Sequence, residues 1–214
     1  MNEIRERDSI GDAAAEKKAL RKELQAELNA IPAAERLEGD DEIRRLAADM
    51  LQYRQARVLF IFVGAGWEVD TRPLIVEALA EGKRVAVPRC MSGGRMDACL
   101  ISGLDELRQV PPLGLWEPAA DAPALPLAEI DFALIPCITC DVGGYRLGRG
   151  GGYYDRFLRD GAFDKAAVCR RALLREKLPA EAHDEKVDYI ITEAGVLDCR
   201  TGHDGALSIN RDNS

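Results

Sequence analysis

Apolar and polar positions recur along this chain in two different periods, and the period changes several times from one end to the other. Leu20, Leu24, Leu28 and Ile31 follow one another at spacings of 4, 4 and 3, which places them on one helix face. Asp12 stands where it can cap that helix and Pro32 where it ends it. Ile43, Leu46, Ala47 and Met50 repeat the pattern and predict a second helix over 40–54. The run VLFIFV at 58–63 is too short for a helix and rich in β-branched and aromatic residues, so it predicts a buried strand. A short helix over 72–81 follows, with Thr71 and Pro73 near its start. Strands are expected at 84–88 and 96–101, separated by the Ser-Gly-Gly turn at 92–94. A proline-rich stretch, 111–126, reads as a surface crossing. Beyond it come a buried strand at 131–136, a glycine-rich loop, a helix from about 151, and strand candidates at 166–173 and 188–192.

Strands that alternate with helices define an α/β fold with a largely parallel sheet. With 214 residues and no internal repeat, one domain is expected, covering 17–199 between a flexible arm at 1–16 and a polar, flexible tail at 200–214. Hydrophobic residues make up 47% of the chain and charged residues 31%, enough for a core that needs neither disulfides nor a structural metal.

Charge narrows the partners. The 29 lysines and arginines are outnumbered by 37 aspartates and glutamates, a net charge of −8, which disfavours nucleic acid and anionic membranes. An anionic ligand must therefore meet basic residues concentrated at one place. The amino-terminal MNEIRERDSIGDAAAEKK has no apolar signal core, and the longest apolar stretches, Val58–Trp67 and Phe132–Cys140, fall well short of the roughly 20 residues that span a bilayer. A cytoplasmic protein is expected, with its six cysteines reduced, as a monomer or weak dimer.

Residues 143–160, GGYRLGRGGGYYDRFLRD, supply the concentrated charge. They leave a strand, pass through Gly148, Gly150, Gly151 and Gly152, and enter a helix, with Arg146, Arg149, Arg156 and Arg159 close by. Glycines let consecutive amides converge on an anion, and a helix start adds unpaired N–H groups. The segment reads as a phosphate cradle. No Lys-Ser or Lys-Thr follows the glycines, and Tyr153 breaks the dinucleotide spacing, so neither common nucleotide motif applies. Lys17 and Arg21, four apart, share a helix stripe; on spacing alone they read as a solvated basic face.

RLGRGGGYYDRFL strongly resembles the signature of the 5-formyltetrahydrofolate cyclo-ligase family, also called methenyltetrahydrofolate synthetases. The resemblance extends over about 17–197 through KKALRKEL (17–24), FVGAGWEVDTRPLI (62–75), GKRVAVPRC (82–90), MDACLI (96–101), GLWEP (114–118) and HDEKVDYIITEAGV (183–196). It implies a three-layer sandwich similar to the sugar-phosphate isomerase and CoA-transferase folds. It implies ATP- and Mg²⁺-dependent closure of 5-formyltetrahydrofolate to 5,10-methenyltetrahydrofolate, with ADP and phosphate released.

Carried over by the resemblance, Lys17 and Arg21 would hold the ATP phosphates with Arg146, Leu147, Gly148, Arg149, Gly150, Gly151, Gly152, Tyr153 and Tyr154. Arg146, Arg149 and Tyr153 would act on the reacting groups. Asp155 and Asp184 would hold Mg²⁺; as bare residues they read equally as a helix-start aspartate and a solvated loop acid. Glu68 would bind the pterin edge, and Val63, Trp116, Tyr153, Arg149 and Gly150 to Gly152 the rest of the folate, with Arg89 and Arg95 towards its glutamate tail. Trp116 reads equally well as a core residue. Gly151 stands where some members carry lysine, and the stretch GAGW at 64–67 varies. Cys137 and Cys140 form a lone CxxC without the second pair a zinc site needs and read as buried thiols, and neither His183 nor His203 is assigned a catalytic role. The competing reading is a non-catalytic nucleotide- or folate-binding relative.

Overall fold

Continuous apolar runs that are too short for helices bury both faces of the central strands, and the amphipathic segments between them cover those faces. The computed structural model describes residues 2–111 and 114–200, with the backbone alone described for residues 2–12. The helices are α1 (Asn2–Ala30), α2 (Ala33–Asp49), α3 (Leu51–Gln55), α4 (Arg72–Ala80) and α5 (Tyr153–Arg159). The strands are β1 (Val58–Ile61), β2 (Arg84–Cys90), β3 (Met96–Ile101), β4 (Leu107–Val110), β5 (Leu115–Pro118) and β6 (Ala124–Leu125). They continue with β7 (Phe132–Pro136), β8 (Thr139–Cys140), β9 (Arg146–Leu147), β10 (Asp164–Val168), β11 (Tyr189–Thr192) and β12 (Gly195–Asp198).

Eight strands form one sheet in the order β12-β11-β10-β7-β1-β2-β3-β6. The inner strands β11, β10, β7, β1 and β2 run parallel, and β12, β3 and β6 join antiparallel at the edges. Alternate residues of each strand feed opposite layers. Leu59, Ile61, Val87, Leu134 and Ile191 pack with Ile43, Ala47, Tyr53 and Leu74 from α2, α3 and α4. On the other face, Phe60 and Ile135 meet Phe157 and Leu158 of α5, while Ala167 and Ile190 meet Leu24 and Leu28 of α1. The expected α/β three-layer arrangement is therefore present. A buried Arg170–Asp40 pair, 2.5 Å apart, ties the end of β10 to α2.

Several boundaries differ from expectation. α1 runs from Asn2 rather than starting at Asp12, so residues 2–16, expected as an arm, lie within it. The helix expected over 40–54 starts earlier and breaks at Met50, whose ψ of 135° is extended. The strand expected over 166–173 ends at Val168, and Arg171–Leu173 form a 3-10 turn instead. The stretch at 111–126 contributes β5 and β6, pairing β5 with β4 in a separate hairpin. Of the expected tail, 201–214, which includes His203, lies outside the described residues. No helix of the described residues is long and apolar enough to cross a membrane.

Candidate active site

β1 lies at the centre of the sheet between β2, which the chain enters next, and β7, which it enters later. The segments leaving the carboxyl ends of β1 and β7 therefore diverge, and such divergence leaves a crevice where ligands of open α/β sheets bind. A cavity of about 480 Å³ opens there. Trp67 and Glu68 line it from the β1 end, Cys90 from β2, and Pro136 and Cys137 from β7. The whole of 146–155 forms its floor, and Lys17, Arg21, Glu181, His183 and Asp184 close it. That volume suits one or two small organic ligands.

The glycine-rich loop is held open by arginines. Gly150 and Gly152 have φ of +94° and +66°, backbone that an L side chain rarely adopts, which accounts for glycine at both. Arg21 reaches from α1 to donate from Nε to the Gly148 carbonyl oxygen at 2.8 Å. Arg156 donates to the carbonyl oxygens of Gly94 and Gly151 at 2.7 and 2.6 Å, linking the loop to the β2–β3 turn. Lys17 and Arg21, which spacing alone left as a solvated face, both line the cavity from α1.

The remaining basic groups are paired with acids that line the same cavity. Lys17 Nζ lies 2.7 Å from Glu181 and 2.6 Å from Asp184. Burial works against its charge, but the two carboxylates outweigh burial and raise its pKa above the ordinary lysine value. Arg146 Nη1, from a side chain only 4% exposed, lies 2.8 Å from Asp155. Burial opposes ionisation of Asp155, yet Arg146 outweighs it and holds the carboxyl below the usual aspartate range. Arg146 Nη2 is buried without a hydrogen-bond partner.

Oxygen donors crowd one side of the cavity. The ligand atoms of Glu181, His183 and Asp184 lie within 4.8 Å of one another, although the His183 side chain is 62% exposed. Asp155 lines the cavity but stands outside that cluster and pairs with Arg146, so of the two acids expected to share a metal only Asp184 belongs to it, beside Glu181. Carboxylate oxygens are the donors a hard cation such as Mg²⁺ prefers, and a metal at Glu181 and Asp184 would displace the Lys17 ammonium group that now occupies them. Glu181 was not foreseen: it lies three residues before Asp184 on a loop with no helical or strand period to orient it.

On the opposite side, Glu68 is 9% exposed and pairs with Arg149 at 3.1 Å. Burial pushes its carboxyl up, and Arg149 only partly reverses this. Arg149 also stacks 5.0 Å over the Trp67 ring, a contact that the variable GAGW stretch did not signal. Tyr153 lines the cavity, as does Tyr154, whose hydroxyl burial holds well above the ordinary tyrosine value.

Four residues expected at the folate, Val63, Trp116, Arg89 and Arg95, are not among those that line the cavity. Val63 is a core residue beside Val69 and Leu74. Trp116 packs against the same core from β5, and its neighbour Leu115 lines the cavity instead. Arg89 is occupied by the carbonyl oxygens of Ala119, Ala120 and Ala122 and by Asp97, bracing the loop after β5.

The profile of the 5-formyltetrahydrofolate cyclo-ligase family matches residues 13–193, and the chain belongs to that family. It is similar to 5-formyltetrahydrofolate cyclo-ligases of Mus musculus, 28% identical over 83% of this chain and 93% of the relative, and of Mycolicibacterium smegmatis, 31% identical over 82% and 93%. The cyclo-ligase of Escherichia coli K12 is 33% identical over 66% of this chain and 80% of the relative. Among solved structures, the 5,10-methenyltetrahydrofolate synthetase of Aquifex aeolicus superposes with a TM-score of 0.77 at 26% identity, covering 92% of this chain and 99% of that one.

Proposed function

We propose that this enzyme closes 5-formyltetrahydrofolate to 5,10-methenyltetrahydrofolate at the expense of ATP, by phosphorylating the formyl oxygen. The observation that carries the reading is the Arg149–Glu68 pair at 3.1 Å. It joins a basic glycine loop, suited to phosphates, to a buried carboxylate, suited to the N–H edge of a pterin, within one cavity. The γ-phosphoryl group and the formyl oxygen would meet between them.

An amide oxygen is a poor leaving group and phosphate a good one. Transfer of the γ-phosphoryl group to the formyl oxygen gives an N5-iminium phosphate. Attack by the substrate's own N10 on that carbon then forms the new C–N bond, the N10 proton passes to the departing phosphate or to solvent, and phosphate leaves with the oxygen. The nucleophile belongs to the substrate, so the protein contributes position and charge. Lys17, Arg21 and the backbone of 146–154 hold the phosphates. Arg146 and Arg149 neutralise charge on the transferring group, and Tyr153 orders the substrates beside it. Glu68 accepts hydrogen bonds from the pterin, and its buried position makes that contact strong. Asp184, with Glu181 beside it, would hold Mg²⁺, which screens phosphate charge when bound, and Asp155 would join them on leaving Arg146.

The test is near-ultraviolet absorbance of purified protein supplied with 5-formyltetrahydrofolate and MgATP. A rise that requires both ATP and magnesium supports the reading. No rise, with both ligands still bound, would assign the chain to a binding role without turnover.

A further inference from the structure

The carboxyl ends of the adjacent strands β7 and β10 bring together three cysteines that the cyclisation does not use. Cys137 follows β7, Cys140 ends β8 and Cys169 follows β10, and their sulfur atoms lie within 4.8 Å of one another. Cys137 Sγ is 3.2 Å from Cys140 Sγ and 3.1 Å from the Val168 carbonyl oxygen. Exposure is 7% for Cys137, 0% for Cys140 and 2% for Cys169, within a shell that includes Leu24, Leu28, Leu173 and Ile190. Cys137 also lines the cavity, which gives the cluster an entry path.

The geometry points to a binding site for one soft monovalent cation of the cuprous class at Cys137, Cys140 and Cys169. Three thiol sulfurs, with no histidine or carboxylate ligand atom, make up the cluster among the described residues. Sulfur-only sites select soft ions, and Zn²⁺ asks for a fourth ligand that the cluster does not hold. Cys140 and Cys169 give their protons to solvent as their metal–sulfur bonds form, because the thiolate is the ligating form, and Cys137 stays protonated beside them. One monovalent ion thus replaces two protons, the site gains one negative charge, and nothing is oxidised or reduced. The hard Mg²⁺ that accompanies ATP is sorted away from it towards the carboxylates. Cys140 stands opposite Arg146 in the β8–β9 ladder, so an ion here would sit beside the strand that carries the phosphate-loop arginine.

The site is tested on the reduced, full-length protein by anaerobic titration with Cu(I) against a chromogenic Cu(I) chelator, followed by X-ray absorption of the bound ion. One equivalent retained per chain in an all-sulfur shell is expected. Cys140→Ser and Cys169→Ser should each weaken retention by at least about 100-fold, the most that loss of an outer-shell partner alone costs. Cys199→Ser should leave retention unchanged. No retained ion, oxygen or nitrogen in the shell, or dependence on Cys199 would overturn the site. Loss of two thiols as a disulfide without bound copper would do the same. Should a serine variant fail to fold, the absorption spectrum of the unaltered protein still decides. None of these readings depends on the cyclisation.

Discussion

Arg149 reaches across the cavity to Glu68, placing Nε 3.1 Å from Oε1 while its Nη2 donates to the Ala65 carbonyl oxygen at 3.2 Å. The glycine loop and the segment after β1 are thereby joined at the point where the two substrates would meet. Glu68→Gln removes the charge and keeps the shape. The Michaelis constant for the folate should rise roughly 10-fold, as loss of one charge-assisted hydrogen bond implies, with that for ATP changing less. Steady-state kinetics in both substrates check this, and an equal loss of both would remove Glu68 from the folate side. Burial raises the Glu68 carboxyl, so folate affinity should fall with acidification at a pH above the ordinary glutamate range, and the Glu68→Gln enzyme should lack that step.

Asp155 answers to stability as well as turnover. Its carboxyl is held below the ordinary value because Arg146 outweighs the burial that opposes ionisation. A lowered carboxylate contributes stability that is complete above the unfolded pKa of about 3.9 and is lost as pH falls through the folded value. Asp155→Asn should therefore cost about 2 kcal/mol at neutral pH, the scale of a charged hydrogen bond. The difference from the parent should shrink below about pH 4. Urea denaturation across that range measures it, and MgATP-dependent turnover should drop strongly in the folded variant.

Lys17 spans two acids with a side chain only 8% exposed. Lys17→Met leaves Glu181 and Asp184 facing each other without their shared cation. Catalytic efficiency with ATP should fall by roughly 50-fold, equivalent to about 2 kcal/mol, while the Michaelis constant for the folate stays within about 2-fold. Equal losses with respect to both substrates would place Lys17 outside the phosphate site.

Gly150 and Gly148 separate backbone strain from open space. A Cβ on Gly150 would be 3.2 Å from Arg21 Cζ, at φ of +94°, whereas one on Gly148 would meet nothing within 4 Å. Gly150→Ala should destabilise the protein by about 1–2 kcal/mol more than Gly148→Ala, as left-handed backbone costs an L residue. Denaturation midpoints decide it, and equal midpoints would show that the loop relaxes freely.

The parallel sheet and the glycine loop were legible because each rests on a local signal. VLFIFV and FALIP are apolar on both faces, and Gly150 and Gly152 sit where positive φ is required. Lys17 and Arg21 were legible as a stripe, but only the packing of α1 through Leu24 and Leu28 turns that stripe towards the loop. Trp116 stands one residue from the cavity because side chains alternate along extended chain, and Leu115 faces the cavity in its place. Val63 has no such neighbour, since Phe62 beside it belongs to the same core. Glu181 was illegible because an irregular loop brings it to Lys17 across 164 positions of sequence. The break at Met50 has neither proline nor glycine to announce it.

The fate of one oxygen atom tests phosphorylation of the formyl group most directly. 5-Formyltetrahydrofolate carrying a heavy oxygen isotope in its formyl group would be converted with MgATP, and the released inorganic phosphate analysed by mass spectrometry. Phosphorylation of the formyl oxygen predicts one labelled oxygen in each phosphate formed. Unlabelled phosphate, with the isotope recovered in water, would contradict it and assign ATP hydrolysis to a step that never touches the formyl group.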